Sequence, residues 1–370
     1  MNSTTPQTRE PLVTMKQTVF QRRRMQKMWA LVAAAMPVML LASACSSGGK
    51  SGSASGTAKS YCAGRTVTFL APDDPGGNSD VQMRVIAPAV SKILGCTVHV
   101  TDAPQGNTVV GQDLVAQAKP DGLTLGYLQV SKDLYNSATG GKSTNFSPES
   151  VEFVASTQGT PNVIIASPSS PYKSFQDMIN SSTQVPVLST GGSGQMTITL
   201  LMAAYGKKPK IITGYSSQAD VTQGFLRGDG PITNSALSGF VSIIKNGKAR
   251  PILLDTAPPQ GDLSDLLKDV PTYADVIKQD PPSTSYGDAL LKSLMEYRAA
   301  PSDWYFMPAG TPQTALDQMS NAFKGALTDP AVQKKLADSG VSGYVPGSQG
   351  LMYVKQMESI VPYMKQYATP

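Results

Sequence analysis

The sequence predicts an α/β protein with two lobes around a central ligand cleft. Short runs of β-branched and apolar residues alternate with stretches of helical periodicity, and the turns between them span only a few residues. Strand–helix–strand units with such short connections indicate a largely parallel sheet with helices on both faces. Two of these series follow one another along the 370 residues. This length fits two lobes of about 100–200 residues each.

The first series begins after residue 65 and predicts three strands and two helices. Apolar residues in the segment 80–94 recur at helical spacing, whereas the runs on either side are β-branched. A Pro-Asp-Gly sequence at 120–122 is typical of a tight turn before the last strand. The predicted order is strand 66–70, helix 80–94, strand 97–100, helix 109–118 and strand 123–128.

The second series begins with a strand over 163–165, where we expect the chain to cross between the lobes. Ser174 and Asp177 have the spacing of a capping box, which predicts that a helix starts at residue 175. The predicted order continues with helix 175–180, strand 185–189, helix 196–205, strand 210–212, helix 221–226 and a segment 231–234. The tail is predicted to be mostly helical, with amphipathic stretches 315–327 and 330–336.

The charge distribution excludes several classes of function. Six of the 31 basic residues and one of the 26 acidic residues lie in residues 1–44, so residues 45–370 carry 25 of each and are neutral. A neutral body lacks the basic field that nucleic-acid binding requires. The chain has one histidine, His99, which excludes most Ser-His-Asp, Cys-His and multi-histidine zinc sites. We therefore predict no metal, no cofactor and no enzymatic activity.

The first 45 residues have the features of a bacterial lipoprotein signal. Basic residues precede an apolar run over 28–41, and a triplet of small residues precedes Cys45. The run is short for a membrane span and is typical of a signal peptide. The sequence before Cys45 resembles a lipobox, which implies a signal peptide over 1–44, a diacylated Cys45 and a flexible linker over 45–61. The alternatives are an ordinary secreted protein and an uncleaved anchor.

Export would place the two remaining thiols, Cys62 and Cys96, in an oxidising compartment. Cys62 comes shortly before the first predicted strand and Cys96 directly before the second. If these strands are parallel neighbours, both thiols lie at the same end of the sheet. A disulfide between them would then stabilise the fold by roughly 3–4 kcal/mol. Two buried free thiols are the alternative.

Two glycine-rich turns form the candidate binding site. Pro75-Gly76-Gly77 and Gly191-Gly192-Ser193-Gly194 each follow a predicted strand and open a helix. Glycine permits a positive φ and close approach of a ligand, and the free N–H groups of the first helical turn attract an anion. Two such turns facing each other across a cleft suit a dicarboxylate. Each turn alone is weak evidence for binding, because a purely structural β–α connection more often explains such a turn.

Several motifs resemble those of the Bug-type solute-binding proteins of tripartite tricarboxylate transporters. They occur in the family's order between residues 65 and 365, and this joint order is more specific than any single motif. The motifs are the segment 72–80 with Arg84, Gly95, Pro120-Asp121-Gly122, Tyr215, Leu226 with Gly228, the segments 271–275 and 308–312, and Asp329-Pro330 with Leu336.

The resemblance implies a two-lobed, periplasmic-binding-protein-like fold of type II, a Venus flytrap without catalysis. It implies a first lobe over 62–165 and 295–370 and a second lobe over 166–294. In the family, a carboxylate is held largely by main-chain groups and ordered waters from two loops, which correspond here to 75–80 and 192–195. The predicted ligand-binding residues are Pro75, Gly76, Gly77, Asn78, Ser79, Asp80, Gly192, Ser193, Gly194, Gln195, Tyr215 and Asn234.

Two acidic residues depart from the family's pattern. Asp73 and Asp74 lie beside the first loop, where the family is mostly apolar. If they face the cleft, they oppose a dianion and favour an amide, a zwitterion or a cationic group; if they face solvent, they matter little. Gln195 and Ile198 also replace residues typical of the family's second loop. These departures leave the fold prediction intact and the ligand open.

Polar residues at strand and helix ends add further candidates. Asp80 either orients the first loop or a water molecule, or is a stabilising acid at a helix N-terminus. Arg84, one turn later, has the spacing to pair with it. Gln129, Ser131 and Ser235 end predicted strands and are further residues that can line the cleft, as an alternative to plain packing.

These observations together predict an extracytoplasmic lipoprotein, anchored to the cell membrane by lipid. It would capture a small carboxylate-containing metabolite and deliver it to the subunits of a membrane transporter. We expect a monomer that binds no nucleic acid. The alternative is a receptor lipoprotein whose closed form signals to a membrane sensor protein. An exported hydrolase is disfavoured because the sequence has no Gly-x-Ser-x-Gly motif.

Overall fold

The computed structural model describes residues 60–367, apart from residues 107, 160, 216, 258–261 and 339–340. These residues belong to one compact unit, residues 57–370. The predicted signal peptide, the lipidation site Cys45 and nearly all of the predicted linker lie outside the described residues. Within the described part of the chain, no helix combines the length and the apolar character needed to cross a membrane.

Two separate β-sheets organise the described residues. The first has six strands in the order β2-β1-β3-β10-β4-β11, and the second has five in the order β9-β5-β8-β6-β7. The strands are β1 (Thr66–Ala71), β2 (Thr97–Asp102), β3 (Thr124–Gln129), β4 (Val151–Gln158), β5 (Asn162–Ala166), β6 (Pro186–Leu188), β7 (Lys210–Ile212), β8 (Ile232–Ala236), β9 (Arg250–Leu254), β10 (Asp303–Pro308) and β11 (Ser342–Pro346).

Both sheets are mixed, whereas the sequence predicted a largely parallel arrangement. Strand β1 pairs in parallel with β2 and β3, and β6 pairs in parallel with β7 and β8. Strand β10 runs antiparallel to β3 and β4, and β5 runs antiparallel to β8 and β9. Each antiparallel pair contains β4, β5 or β10, which are the strands at which the chain leaves the first sheet or returns to it. The β-α-β repeat read from the sequence therefore covers only part of each sheet.

Sheet membership changes twice along the chain. Strands β1 to β4 belong to the first sheet. Strand β5, which three residues separate from the end of β4, belongs to the second sheet. The chain returns to the first sheet at β10. This organisation agrees with the predicted two-lobed α/β fold class. The predicted residue boundaries of the lobes stay a prediction.

Helices connect the strands and cover the sheets. They are α1 (Asn78–Leu94), α2 (Val109–Ala116), α3 (Val130–Thr139), α4 (Phe175–Ile179), α5 (Gly192–Ala204), α6 (Gln218–Arg227), α7 (Val241–Lys245), α8 (Asp262–Leu267), α9 (Tyr273–Gln279), α10 (Ser285–Ala299), α11 (Gln313–Leu327), α12 (Pro330–Asp338), α13 (Gly350–Glu358) and α14 (Val361–Tyr367). The predicted capping box is confirmed, because the Ser174 side chain accepts from the Asp177 N–H and the Asp177 side chain accepts from the Ser174 N–H.

The buried apolar residues form three clusters. One lies between the first sheet and helices α1 and α11, and a second packs against the second sheet with α6 and α7. The largest cluster contains residues of both sheets, together with helices α5, α10 and α13. Trp304 of β10 and Ile164 of β5 are both members of this cluster, and both are almost completely buried. A continuous apolar core therefore joins the two sheets.

A disulfide joins Cys62 and Cys96, with their Cα atoms 5.9 Å apart. Strands β1 and β2 are parallel neighbours, in register from the pair Thr66 and Thr97 onward. The two cysteines therefore lie at the same end of adjacent strands. The disulfide therefore meets the condition stated from the sequence, that β1 and β2 are parallel neighbours with both cysteines at the same end.

Candidate functional site

At the first glycine turn, the carboxylate of Asp73 hydrogen-bonds to the main chain of the protein itself. Asp73 precedes helix α1, and its side chain accepts a hydrogen bond from the Ser79 N–H at 2.9 Å. The Asp73 N–H in turn donates to Ser79 Oγ at 3.2 Å. The protein's own carboxylate thus occupies a donor at the start of α1 that the sequence analysis assigned to a ligand.

Asp80 completes the same turn from inside the helix. Its side chain is buried, accepts from the Gly76 N–H at 2.8 Å and pairs with Arg84. Burial acts to raise the pKa of Asp80, but the Gly76 N–H and the Arg84 guanidinium, which donate hydrogen bonds to its carboxylate, lower the pKa below its ordinary value. Arg84 also bonds Asp102 of β2 at 2.8 Å. Asp80 therefore fixes the shape of the first loop.

The second glycine turn is open at its helix start. Gly191 and Gly192 have φ angles of 90° and 70°, which favour glycine, and Gly192 begins α5. Ser189 Oγ accepts from the Gly191 N–H at 3.0 Å, and Gly191, the N-cap residue of α5, has no side chain that could cap the helix. Asn234 of β8 donates its side-chain N–H to the Gly194 carbonyl at 3.1 Å. The first turn of α5 therefore presents main-chain N–H groups at this edge of the second sheet.

A cavity of about 650 Å³ lies between the two sheets, next to this helix start. Residues from both sheets and from the segments that follow their strands line it. Its walls are formed by Asp73, Gln129, Ser131, Lys132, Tyr135, Asn136, Ser189, Thr190, Gly191, Gly192, Gly194, Gln218, Asn234, Ser235, Ser302 and Asp303. The lining is predominantly polar, and its size and polar groups fit a small hydrophilic metabolite.

Three charged side chains face this cavity. They are Asp73, Lys132 of α3 and Asp303, the first residue of β10. Burial and the negative charge of Asp73 together raise the pKa of Asp303 to about 6, although hydrogen bonds from Tyr127 and Ser302 act to lower it. Burial lowers the pKa of Lys132, and the charges of Asp73 and Asp303 oppose that effect. The first-sheet side of the cavity is therefore rich in negative charge.

A hydrogen-bond network holds the acidic side of the cavity in place. Gln129 ends β3, its main-chain N–H donates to Gln112 at 2.8 Å, and its side-chain N–H contacts Asp73 at 3.2 Å. Gln129 is also the antiparallel partner of Asp303 across β3 and β10. The Asp73 carboxylate is thus held by a hydrogen-bond network that includes the end of β3, and Asp303 lies beside that end on the neighbouring strand.

The structure brings together only some of the residues predicted to bind a ligand. Gly192, Gly194 and Asn234 line the cavity. Among the described side chains, the predicted positions outside its lining are Pro75, Gly76, Gly77, Asn78, Ser79, Asp80, Gln195 and Tyr215. The Tyr215 hydroxyl has a partner elsewhere, because it donates to Asp229 at 3.1 Å. Contact of these eight residues, and of Ser193, with a ligand stays a prediction.

The two acids whose orientation the sequence left open differ from each other. Asp73 lines the cavity, whereas Asp74 is exposed and outside the lining. Lys132 and Asp303 were not predicted. Lys132 was missed because α3 was not recognised as a helix. Asp303 was missed because β10 runs antiparallel to β3, which brings its first residue to the edge where β3 ends.

Comparison with known proteins agrees with this architecture. The family described as "Tripartite tricarboxylate transporter family receptor" (TctC) matches residues 82–285. A UPF0065 protein of Bordetella pertussis is 24% identical over 322 residues, which cover 78% of this chain and 84% of that protein.

Solved structures show the same fold. A TctC solute-binding protein from Polaromonas superposes with a TM-score of 0.63 at 16% identity, covering 82% of this chain and 97% of that one. MatC from Rhodopseudomonas palustris, solved with bound malate, superposes with a TM-score of 0.57 at 21% identity, covering 82% of this chain and 99% of that one. The predicted α/β fold of a periplasmic solute-binding protein is thereby confirmed.

Proposed function

Because the chain belongs to the receptor family of tripartite tricarboxylate transporters, whose members bind solutes outside the cytoplasm and are not enzymes, we propose that it captures a small carboxylate in the cavity between its two sheets. It then delivers this solute to a tripartite tricarboxylate-type membrane transporter. The observation that carries the proposal is the open N-terminus of α5 at a polar cavity of about 650 Å³.

The start of α5 supplies the anion-binding half of the site. A helix of 13 residues carries partial positive charge at its N-terminus, and its first N–H groups have no partner within the helix. The glycines of this turn let a carboxylate approach the main chain closely. Lys132 adds a positive charge on the opposite wall of the cavity. Malate in the similar MatC structure is a carboxylate of the size that such a site accepts.

Binding is expected to draw the two sheets together around the solute. The cavity walls come from both sheets, so a ligand that contacts both walls favours the closed arrangement. The closed form is then the state that a transporter distinguishes from the empty protein. We expect the hinge where the chain passes between the sheets, from β4 to β5 and at its return to β10.

We propose that Cys45 carries the lipid that holds the protein at the outer face of the cell membrane. The support is the apolar run over 28–41 and the small residues before Cys45. Mass spectrometry of the mature protein tests this directly. Lipid on an N-terminal Cys45 is expected, and a Cys45→Ser variant should be released from the membrane. A mature chain that begins elsewhere without lipid would contradict the anchor.

A thermal-shift panel on residues 60–370 tests ligand capture. The panel contains dicarboxylates, tricarboxylates, amino acids, aromatic acids, amides and sugars. A ligand at one hundred times its dissociation constant stabilises the native state by about 2.7 kcal/mol. We expect a response to carboxylate-containing compounds, and we expect Gly192→Val to abolish it. A response only to sugars or amides without a carboxylate would overturn the proposed function.

Transport itself needs a test in cells. We expect cells that lack this protein to lose uptake of the radiolabelled ligand found in the panel. A Gly192→Val variant, expressed at the same level, should not restore uptake. Normal uptake without the protein would show that delivery to the transporter is not its function.

A further inference from the structure

We propose that the physiological ligand carries a protonated amine as well as a carboxylate, so that it is an amino-acid-like zwitterion. This inference rests on the proposed function and adds the chemical class of the ligand to it. The opposite walls of the cavity differ in charge, and each wall suits one end of such a molecule.

The carboxylate end is expected at the second sheet. There the cavity is lined by Gly192 and Gly194 of α5, whose N-terminus attracts an anion. The first sheet presents the opposite character, because Asp73 and Asp303 line the same cavity from that side. A dicarboxylate would bring its second negative charge toward these two acids. Among the described residues that line the cavity, Lys132 is the only basic side chain to offset them.

Two buried amide groups indicate independently that the ligand donates hydrogen bonds. Gln129 and Asn234 are more than nine-tenths buried, and both line the cavity. In each residue the side-chain oxygen is buried and has no hydrogen-bond partner among the described residues. A buried acceptor without a partner is unfavourable, so these oxygens call for donors from a ligand or from water.

The orientation of both amides is fixed by their other atom. The Gln129 side-chain N–H contacts the Asp73 carboxylate at 3.2 Å, and the Asn234 side-chain N–H donates to the Gly194 carbonyl at 3.1 Å. Reversing either amide would place its oxygen against another oxygen. On the first-sheet wall, the acceptors are therefore the Gln129 oxygen and the carboxylates of Asp73 and Asp303, and an ammonium group, which donates three hydrogen bonds, satisfies such a set. The Asn234 oxygen, on the other wall, calls for a separate donor from the ligand or from water.

The charge state of Asp303 agrees with this assignment. Asp303 faces Asp73 of the first loop, Lys132 of α3, Tyr127 of β3 and Arg298 of α10. Burial and the Asp73 charge raise the pKa of Asp303 to about 6 in the unliganded protein. A bound cation would lower this pKa again because it favours the ionised carboxylate. A bound anion would raise it further.

The test compares amino acids with the same acids lacking the amine. Isothermal titration calorimetry at pH 7 is run with the twenty standard amino acids and their des-amino counterparts, for example L-glutamate with glutarate and L-leucine with isocaproate. We expect at least one amino acid to bind more than tenfold tighter than its des-amino counterpart. Asp303→Asn should reduce that preference at least fivefold. Asp74→Asn, a change of the exposed neighbouring acid, should leave it unchanged.

A pH series on the unaltered protein keeps the test independent of the variant's folding. The ligand's own groups titrate near about 3.5 and about 8, outside the window from pH 7 to pH 5. Because Asp303 takes up a proton in this window, amino-acid affinity should fall by up to roughly tenfold. The affinity of a des-amino acid should stay constant or rise.

The outcomes separate this inference from the proposed function. Des-amino acids that bind as tightly as amino acids, with affinity rising toward pH 5, would overturn the zwitterion and leave carboxylate capture intact. An amino-acid preference that Asp303→Asn does not change would overturn the role of the acidic wall. Failure of every carboxylate in both series would overturn the proposed function and the inference with it.

Discussion

Replacing Asp303 by Asn should stabilise the unliganded protein at neutral pH. The pKa of Asp303 is raised from 3.8 to about 6 by burial and by Asp73. A carboxyl whose pKa is higher in the folded than in the unfolded protein lowers the folding stability at any pH above that pKa, where it is ionised in both states. This destabilisation decreases as the pH falls toward 3.8, the ordinary pKa of the group. The shift corresponds to a destabilisation of about 3 kcal/mol at pH 7 and about 1.5 kcal/mol at pH 5. Asn removes the charge and keeps an acceptor for Tyr127.

Guanidinium denaturation of both proteins at pH 7 and pH 5 measures this difference. We expect Asp303→Asn to raise the free energy of unfolding by up to about 3 kcal/mol at pH 7 and by about half as much at pH 5. Asp303 is the titrating group that differs between the two proteins, so the change in the difference between pH 7 and pH 5 reports chiefly its own titration. Asp74→Asn serves as the exposed control and should have no effect beyond about 0.5 kcal/mol. An Asn variant that is less stable at pH 7, or a difference independent of pH, would refute the assignment of a raised pKa.

Three further changes test the surrounding structure. Replacing both Cys62 and Cys96 by Ser, which opens a bridge of sequence separation 34, should lower the unfolding free energy by roughly 4 kcal/mol in chemical denaturation; no loss would show that the bridge does not constrain the unfolded chain. Arg298→Met leaves the buried Asp255 carboxylate without its partner at 2.6 Å and should lower the melting temperature, with a cost of about 3–5 kcal/mol. An unchanged melting temperature would contradict the buried pair. Tyr215→Phe should change ligand affinity less than twofold by calorimetry, because the hydroxyl bonds Asp229 and lies away from the cavity; a large loss would restore Tyr215 as a ligand contact.

The regular elements were largely predictable because they depend on local chemistry. Strand β1 was expected over 66–70 and spans Thr66–Ala71, and α11 was expected over 315–327 and spans Gln313–Leu327. Alternating β-branched runs and helical apolar faces contain this information directly. Helix α3 was missed because its residues are mostly polar and only Val130 is fully buried. Its position depends on tertiary packing, because the partly buried Leu134, Tyr135 and Ala138 contact the largest apolar cluster.

The two glycine turns differ in how much of their hydrogen bonding could be predicted from the sequence. The glycines at 191–194 specify an open helix start through backbone geometry that the sequence reveals. The first turn has the same glycine pattern, yet Asp73 and Asp80 occupy its main-chain donors. The orientation of the Asp73 side chain beside this turn depends on its hydrogen-bond partners, Ser79 and Gln129. The acidic wall depends further on strand direction, because only an antiparallel β10 brings Asp303 to the end of β3.

A crystal structure with the ligand identified by calorimetry tests the central claim most directly. We predict the ligand's carboxylate within hydrogen-bond distance of the first N–H groups of α5, and its amine near Asp303, Gln129 and Asp73. The oxygens of Gln129 and Asn234 should both gain partners in that complex. A carboxylate bound instead at the first turn, residues 75–80, or a ligand outside the cavity between the sheets, would contradict this account.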